Sequence, residues 1–161
     1  MSLTNNINYL QASGFRFVAD KRRFANLSFF AQSVNHPSIS TNAAEVAYGK
    51  FASVPQVGDK FTYGALTAAV LIDEDMKSYL EILNWMKHNV DKEDLGPNSV
   101  NSSFSDLTLH ILSSKNNINK TIIYRNAIPT DLGEINMESN QDGTQVMVCP
   151  VTFRYTEFVI T

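Results

Sequence analysis

Apolar and polar residues alternate with a period of two over most of this chain, and with a period near 3.6 over one stretch, which predicts a mainly β protein with a single helix. The clearest alternation closes the sequence. Between residues 145 and 160 the odd positions Met147, Cys149, Val151, Phe153 and Tyr155 are apolar, while Pro150, Thr152, Arg154 and Thr156 are mostly less so. One long strand with one buried face accounts for that pattern. Asp106-Leu107-Thr108-Leu109-His110-Ile111-Leu112 alternates as cleanly, Asn116-Asn117 supplies a turn, and Lys120-Thr121-Ile122-Ile123-Tyr124-Arg125 returns as a partner strand. Phe15-Arg16-Phe17-Val18 and residues 27–34 read as two strands joined through the basic turn Lys21-Arg22-Arg23, the second stopped by Asn35-His36-Pro37. Residues 61–72 are apolar on both sides and carry Gly64, as in a strand covered on both faces. Residues 44–54 hold Val46, Tyr48, Phe51 and Val54 with Gly49 inside, which fits a strand with a bulge or bend.

The helical stretch spans residues 75–90. Asp73-Glu74-Asp75 suits the positive end of a helix dipole, and Met76, Tyr79, Leu80, Leu83, Met86 and Val90 recur at three and four residues to make one stripe. Trp85 lies about half a turn from that stripe at 3.6 residues per turn. On an outer face it would need cover, so Trp85 and the neighbouring Ile82 are candidate subunit contacts, the alternative being that the polar loop at 91–100 folds over Trp85. That loop is broken by Gly96-Pro97.

The run Ile128-Pro129-Thr130-Asp131-Leu132-Gly133-Glu134-Ile135 reads as a corner: Pro129 fixes φ and lacks an N–H, Gly133 can take φ > 0, and the chain is expected to leave one strand and enter another. With 161 residues the chain can bury one sizeable core, and a single domain, 1–161, is expected, with residues 1–12 as an Asn-rich arm. The expected architecture is two packed antiparallel sheets forming a β-sandwich or partly open barrel, with one amphipathic helix. At net charge −3 with dispersed Lys and Arg, the chain lacks the clustered cations that grip phosphates. A single cysteine, Cys149, allows no internal disulfide, the N-terminus does not read as a signal peptide, and no run of eighteen apolar residues predicts a membrane span.

The Pro-Thr-Asp-Leu-Gly-Glu run, followed by a short strand, a polar turn and a long final strand, resembles the C-terminal end of tail tube proteins of contractile phages. Residues 61–86, where a strand passes through Asp73-Glu74-Asp75 into a helix ending near Trp85, resemble that family's middle section. The resemblance covers roughly residues 14–160. It implies a structural virion protein: the subunit of the inner tail tube, forming hexameric rings that stack into a conduit for DNA, assembled in the host cytoplasm beside sheath and baseplate proteins. It also implies that residues around 44–54 form an extended hairpin reaching an adjacent ring, which makes Phe51, Val54 and Pro55 candidate contacts; a bulged hairpin packed on its own sheet stays equally open. Thr152, Arg154 and Thr156 on the polar face of the last strand are candidate lumen residues, past which DNA would travel without specific binding. A baseplate tube-initiator and a type VI secretion ring protein share these motifs. From another class, a monomeric β-barrel could hold a small apolar ligand.

Catalysis is not expected. His36, His88 and His110 lack metal-ligand spacing, no Gly-x-Ser-x-Gly elbow accompanies Asp106 and His110, and the glycines are isolated, so no catalytic, cofactor or metal residues are assigned.

Overall fold

The structure, a computed structural model, describes residues 9–20, 31–90, 104–138 and 146–161. The arm up to residue 8, the basic turn at 21–23, residues 27–30, the loop at 91–100 and the turn at 140–143 lie outside the described residues. The elements are β1 (Phe15–Val18), β2 (Ala31–Asn35), β3 (Ile39–Thr41), β4 (Ala44–Tyr48), β5 (Ala52–Gln56), β6 (Phe61–Tyr63), β7 (Leu66–Leu71), α1 (Lys77–Val90), β8 (Ser105–Leu112), β9 (Ile118–Leu132), β10 (Val148–Arg154) and β11 (Glu157–Ile160). Seven strands make one antiparallel sheet in the order β1-β8-β9-β10-β7-β2, with β11 also paired to β9.

Strand β9 is the spine, and its length lets it serve two layers. Its first half lies between β8 and β11, with Tyr124 opposite both Leu107 and Phe158. Its second half pairs with β10, from Arg154↔Ile128 to Val151↔Leu132. The change comes at Asn126, whose φ of 53° bends the strand and whose N–H is held by Asp106 Oδ1 at 3.0 Å. Asparagine tolerates this left-handed conformation better than other non-glycine residues. The sheet therefore folds into two packed antiparallel layers. Among the described residues it does not close, because β1 and β2, at its two ends, are not paired with each other.

Period-two alternation decides which side chains meet between the layers. Phe17, Leu107, Leu109, Ile122 and Tyr124 point inward from one, and Leu66, Ala68, Val70, Val151 and Phe153 from the other, all buried. Phe17 and Phe153 touch across the gap with ring centroids 6.5 Å apart. At ~1.5–3 kcal/mol for each large apolar side chain removed from water, this contact set is the main favourable term holding the layers together.

Four local readings are corrected. The closing strand is two strands: β10 ends at Arg154, Thr156 donates its N–H to Arg125 O at 3.0 Å, and β11 continues in the other layer. Residues 61–72 likewise split at Gly64, whose N–H bonds Ser38 O at 2.9 Å. Pro129 is no corner, since β9 runs through it; it sits opposite Phe153 beside the extra residue Thr130, at a bulge where a missing ladder donor is tolerated. Gly133 does not need positive φ, which among the described glycines falls on Gly49. A Cβ at 133 would lie 2.4 Å from Pro150 Cγ, so close approach is what demands glycine there.

The helix also turns a different face inward. Ser78, Ile82 and Trp85 are its buried residues, whereas Leu80 and Val90 from the expected stripe are 46% and 79% exposed. Asp73 Oδ1 receives the Ser78 N–H at 3.2 Å, and the Ser78 hydroxyl lies 3.0 Å from Leu71 O, so the first turn is pinned to the end of β7 through a small polar residue. Desolvation works against the Asp73 carboxylate, but the N–H bonds from Ser78 and Lys77 outweigh it and hold its pKa below the usual value. Residues i, i+4 and i+7 from Ser78 then face the core, and Trp85 packs on Phe153 at 6.0 Å. Ile82 and Trp85 are 1% and 3% exposed inside the subunit, which removes them as contacts to a neighbour.

Candidate assembly surfaces

Between β2 and β7 the chain leaves the body and comes back. Strands β3 and β6 pair as a stalk, Ile39↔Tyr63 to Thr41↔Phe61, and β4 and β5 continue as a hairpin, Ala44↔Gln56 to Tyr48↔Ala52. At the junction of the two, the backbones of Asn42 and Gly58 approach so closely that a Cβ on Gly58 would collide with Asn42 O. At the far end Gly49, with φ of 73°, makes the turn. All ten strand residues of the hairpin are exposed. It therefore does not rest on its own sheet.

The pairing sorts the hairpin into unlike faces. Val46, Val54 and Tyr48 share one side, while Glu45 and Ser53 share the other, where Ser53 Oγ donates to Glu45 Oε2 at 3.2 Å. Phe51 stands at the tip, 98% exposed. A two-stranded ribbon is marginal in water, and one with an uncovered apolar face and two unpaired edges is suited to docking. Phe51, Val54 and Pro55, picked from sequence, all fall on this arm.

The body offers further free edges among the described residues: β1, β2, β11, and β9 beyond Ala127, where β8 pairing ends. The outward faces of the two layers differ chemically. On the β1-β8-β9-β11 layer stand Arg16, Asp106, His110, Arg125 and Glu157, with Arg125 and Glu157 paired at 3.2 Å. The β2-β7-β10 layer instead presents Ser33, Asn35, Thr67, Ala69 and Thr152, and Thr130 Oγ1 donates to Thr152 O at 3.2 Å. Arg154 is exposed on this second face beside Thr152. Thr156 has left the strand for the crossover.

Residues that could have imitated a catalytic group are committed elsewhere. Asp106 holds the Asn126 N–H, and His110 Nδ1 pairs with Thr121 Oγ1 at 3.1 Å, so the two do not address each other. Among the described residues no three His, Cys, Asp or Glu side chains gather as metal ligands, and no helix is long and apolar enough to cross a membrane. Cys149 is buried with Sγ 3.2 Å from Gly133 O, and burial pushes its thiol pKa up. The interlayer space is filled by Phe17, Leu66, Tyr124 and Phe153; a cavity of about 420 Å³, lined in part by Phe15, Val34, His36, Leu109 and Ile122, lies toward the sheet ends β1 and β2.

No family model matches the sequence. The chain is 28% identical over 134 residues to the tail tube terminator protein of Enterobacteria phage T4, a stretch covering 81% of this chain and 76% of that relative. Its fold is similar to the tube-terminating cap of the anti-feeding prophage (TM-score 0.71, 12% identity, covering 99% of this chain and 95% of that one). It is equally similar to a chain of the sheath–tube complex of the PVC extracellular contractile injection system (TM-score 0.70, 14% identity, covering 99% of each). The resemblance to the tail tube superfamily drawn from the Pro129–Glu134 run is borne out, and the relatives are structural parts of tails, not enzymes.

Proposed function

We propose that the chain is a ring-forming subunit continuous with the inner tube of a contractile tail, and that its place is the ring that completes the tube. One observation carries the assembly part: a cantilevered hairpin with an apolar face that none of the described residues covers, on a body whose sheet ends unpaired among those residues. The sequence likeness to a tail tube terminator supports a position at the tube end. In this reading six copies join edge to edge, backbone hydrogen bonds across the boundaries remove the free edges, and the hairpin reaches the adjacent ring. Sheath and baseplate components are the neighbours, the location is the virion tail, and assembly takes place in the host cytoplasm.

The outward face of the β2-β7-β10 layer is the better channel lining of the two. Its Ser, Thr, Asn and Ala side chains carry no charge, and the two charged groups beside Thr152, Arg154 and the exposed Asp131 opposite it on β9, are of opposite sign, so DNA could slide past without paired phosphate contacts. A second reading, a subunit that fills the tube along its whole length, is favoured by the fold likeness to the sheath–tube chain.

Negative-stain images of purified protein and copy-number measurement in intact particles test this. Discrete rings and one ring's complement per particle support the tube-end reading, whereas long tubes and a copy number scaling with tail length support the second. Phe51→Asp with Val54→Asp, both on exposed positions, is expected to leave the monomer fold intact and abolish ring stacking. A monodisperse monomer at high concentration, with no rings, refutes both readings.

A further inference from the structure

Residues 39–57 of the hairpin and stalk are all exposed, so whatever fixes their direction must sit at the root, where the stretch leaves and re-enters the body. The two crossings are built alike. On the outgoing side His36 packs edge-on against Phe158 with ring centroids 4.8 Å apart, and its Nδ1 lies 2.8 Å from the hydroxyl of buried Tyr124. On the returning side Tyr63 packs edge-on against the same Phe158 at 5.6 Å and also contacts Tyr155 at 5.9 Å. Tyr155 in turn meets Tyr124 at 5.2 Å, which closes the cluster. Between the crossings the Gly64 N–H bonds Ser38 O at 2.9 Å, and a Cβ at 64 would stand 3.0 Å from Ser38 Oγ, so the strands are held together where they leave the body.

We propose that His36, Tyr63 and Phe158 are positioning residues that set the angle of the arm before any neighbour is met, the ring of Phe158 on β11 being gripped by both crossings. The inference rests on the assembly reading for its purpose, though not for its geometry. A lever argument shows why such a root matters. The ten residue-to-residue steps from Ile39 to Gly49 at the usual strand rise reach at most roughly 33 Å, so a swing of about 20° at the root displaces the tip by roughly 10 Å, more than the spacing between two strands. A tip wandering that far presents its apolar face to a neighbour in the wrong register. Offset and edge-to-face ring contacts resist such a swing because each has a preferred geometry, and two of them on one ring define an angle where one would leave a hinge.

The test places spin labels at Lys50→Cys near the tip and Lys115→Cys on the body, both exposed, with the native Cys149 buried. The parent protein is expected to give one narrow distance distribution as a monomer. Tyr63→Ala is expected to broaden it by about 10 Å and to stop ring stacking, while Tyr63→Phe, which keeps the ring, restores both. His36→Ala supplies an independent variant, and circular dichroism shows whether each body is still folded. A distribution as narrow in Tyr63→Ala and His36→Ala as in the parent overturns the proposal, as does a broadened arm that still stacks normally. A parent protein with a narrow distribution that forms no ring refutes the assembly reading and leaves the root geometry standing.

Discussion

Replacing Trp85 by alanine separates the two faces of α1. The indole is 3% exposed and packs on Phe153 at 6.0 Å, inside the subunit and not on the outside. Burying roughly 200 Å² of aromatic surface at about 25 cal/mol per Å² is worth ~5 kcal/mol, and truncation leaves a cavity that the fixed sheets cannot fill, so a cost of ~3–5 kcal/mol is expected. Against a total of roughly 5–15 kcal/mol that is a large share, equivalent to a fall in Tm of roughly 6–20 °C for a domain this size. Leu80→Ala is the matched control. At 46% exposure Leu80 is expected to cost under ~1 kcal/mol. Urea titration followed by far-ultraviolet circular dichroism measures both, since the chain has one Trp and the substitution removes the fluorophore. In the parent the emission of Trp85 is expected to be blue-shifted in the monomer and unchanged by ring formation. A Trp85→Ala variant as stable as the parent, paired with a costly Leu80→Ala, would show that the helix turns its sequence-derived stripe inward after all.

Three further outcomes follow from individual contacts. Gly133→Ala puts a methyl 2.4 Å from Pro150 Cγ, where the Gly133 N–H also bonds Pro150 O at 2.7 Å, so β10 must shift; a loss of ~1–3 kcal/mol in denaturant is expected, and an unchanged midpoint contradicts the close-approach account. Tyr155 has a buried hydroxyl without a hydrogen-bond partner while its ring sits in the aromatic root, so Tyr155→Phe is expected to be neutral or to stabilise by about 1 kcal/mol, with loss of more than that counting against it. Burial lowers the pKa of His36 from 6.5, so the folded state binds its proton less readily than the unfolded chain. The contribution is fully present above pH 6.5 and is lost as pH falls from there through the lower folded value; unfolding midpoints from pH 8 to 5 should decline more for the parent than for His36→Gln, and equal slopes would argue against it.

Inside and outside were legible from the linear chain because strand geometry is local. A period of two places Leu107 and Leu109, or Val151 and Phe153, on one side whatever the partners are, and those residues are in the core. Turn chemistry was equally local: Asn116, with φ of 59°, makes the predicted turn between β8 and β9, and Asn35-His36-Pro37 ends β2. Within the Pro129–Glu134 run, the bulge at Pro129 and the close approach at Gly133 restrict which residues the backbone accepts.

What the chain could not reveal depends on atoms far away in sequence. Trp85 faces inward because Ser78 is pinned to Leu71 and Phe153 waits beneath, and counting apolar residues along one helix contains neither fact. Tyr155 and Thr156 look like two more residues of a strand until the Arg125 carbonyl draws the backbone into the other layer. Gly133 and Gly49 are the same letter, yet one answers to a neighbouring proline and the other to its own φ. Most of all, Val46, Phe51 and Val54 have the pattern of any half-buried hairpin, and only the folded body, ending short of them, leaves that face uncovered. Periodicity fixes which residues share a side; what stands opposite that side is settled by packing across the whole molecule.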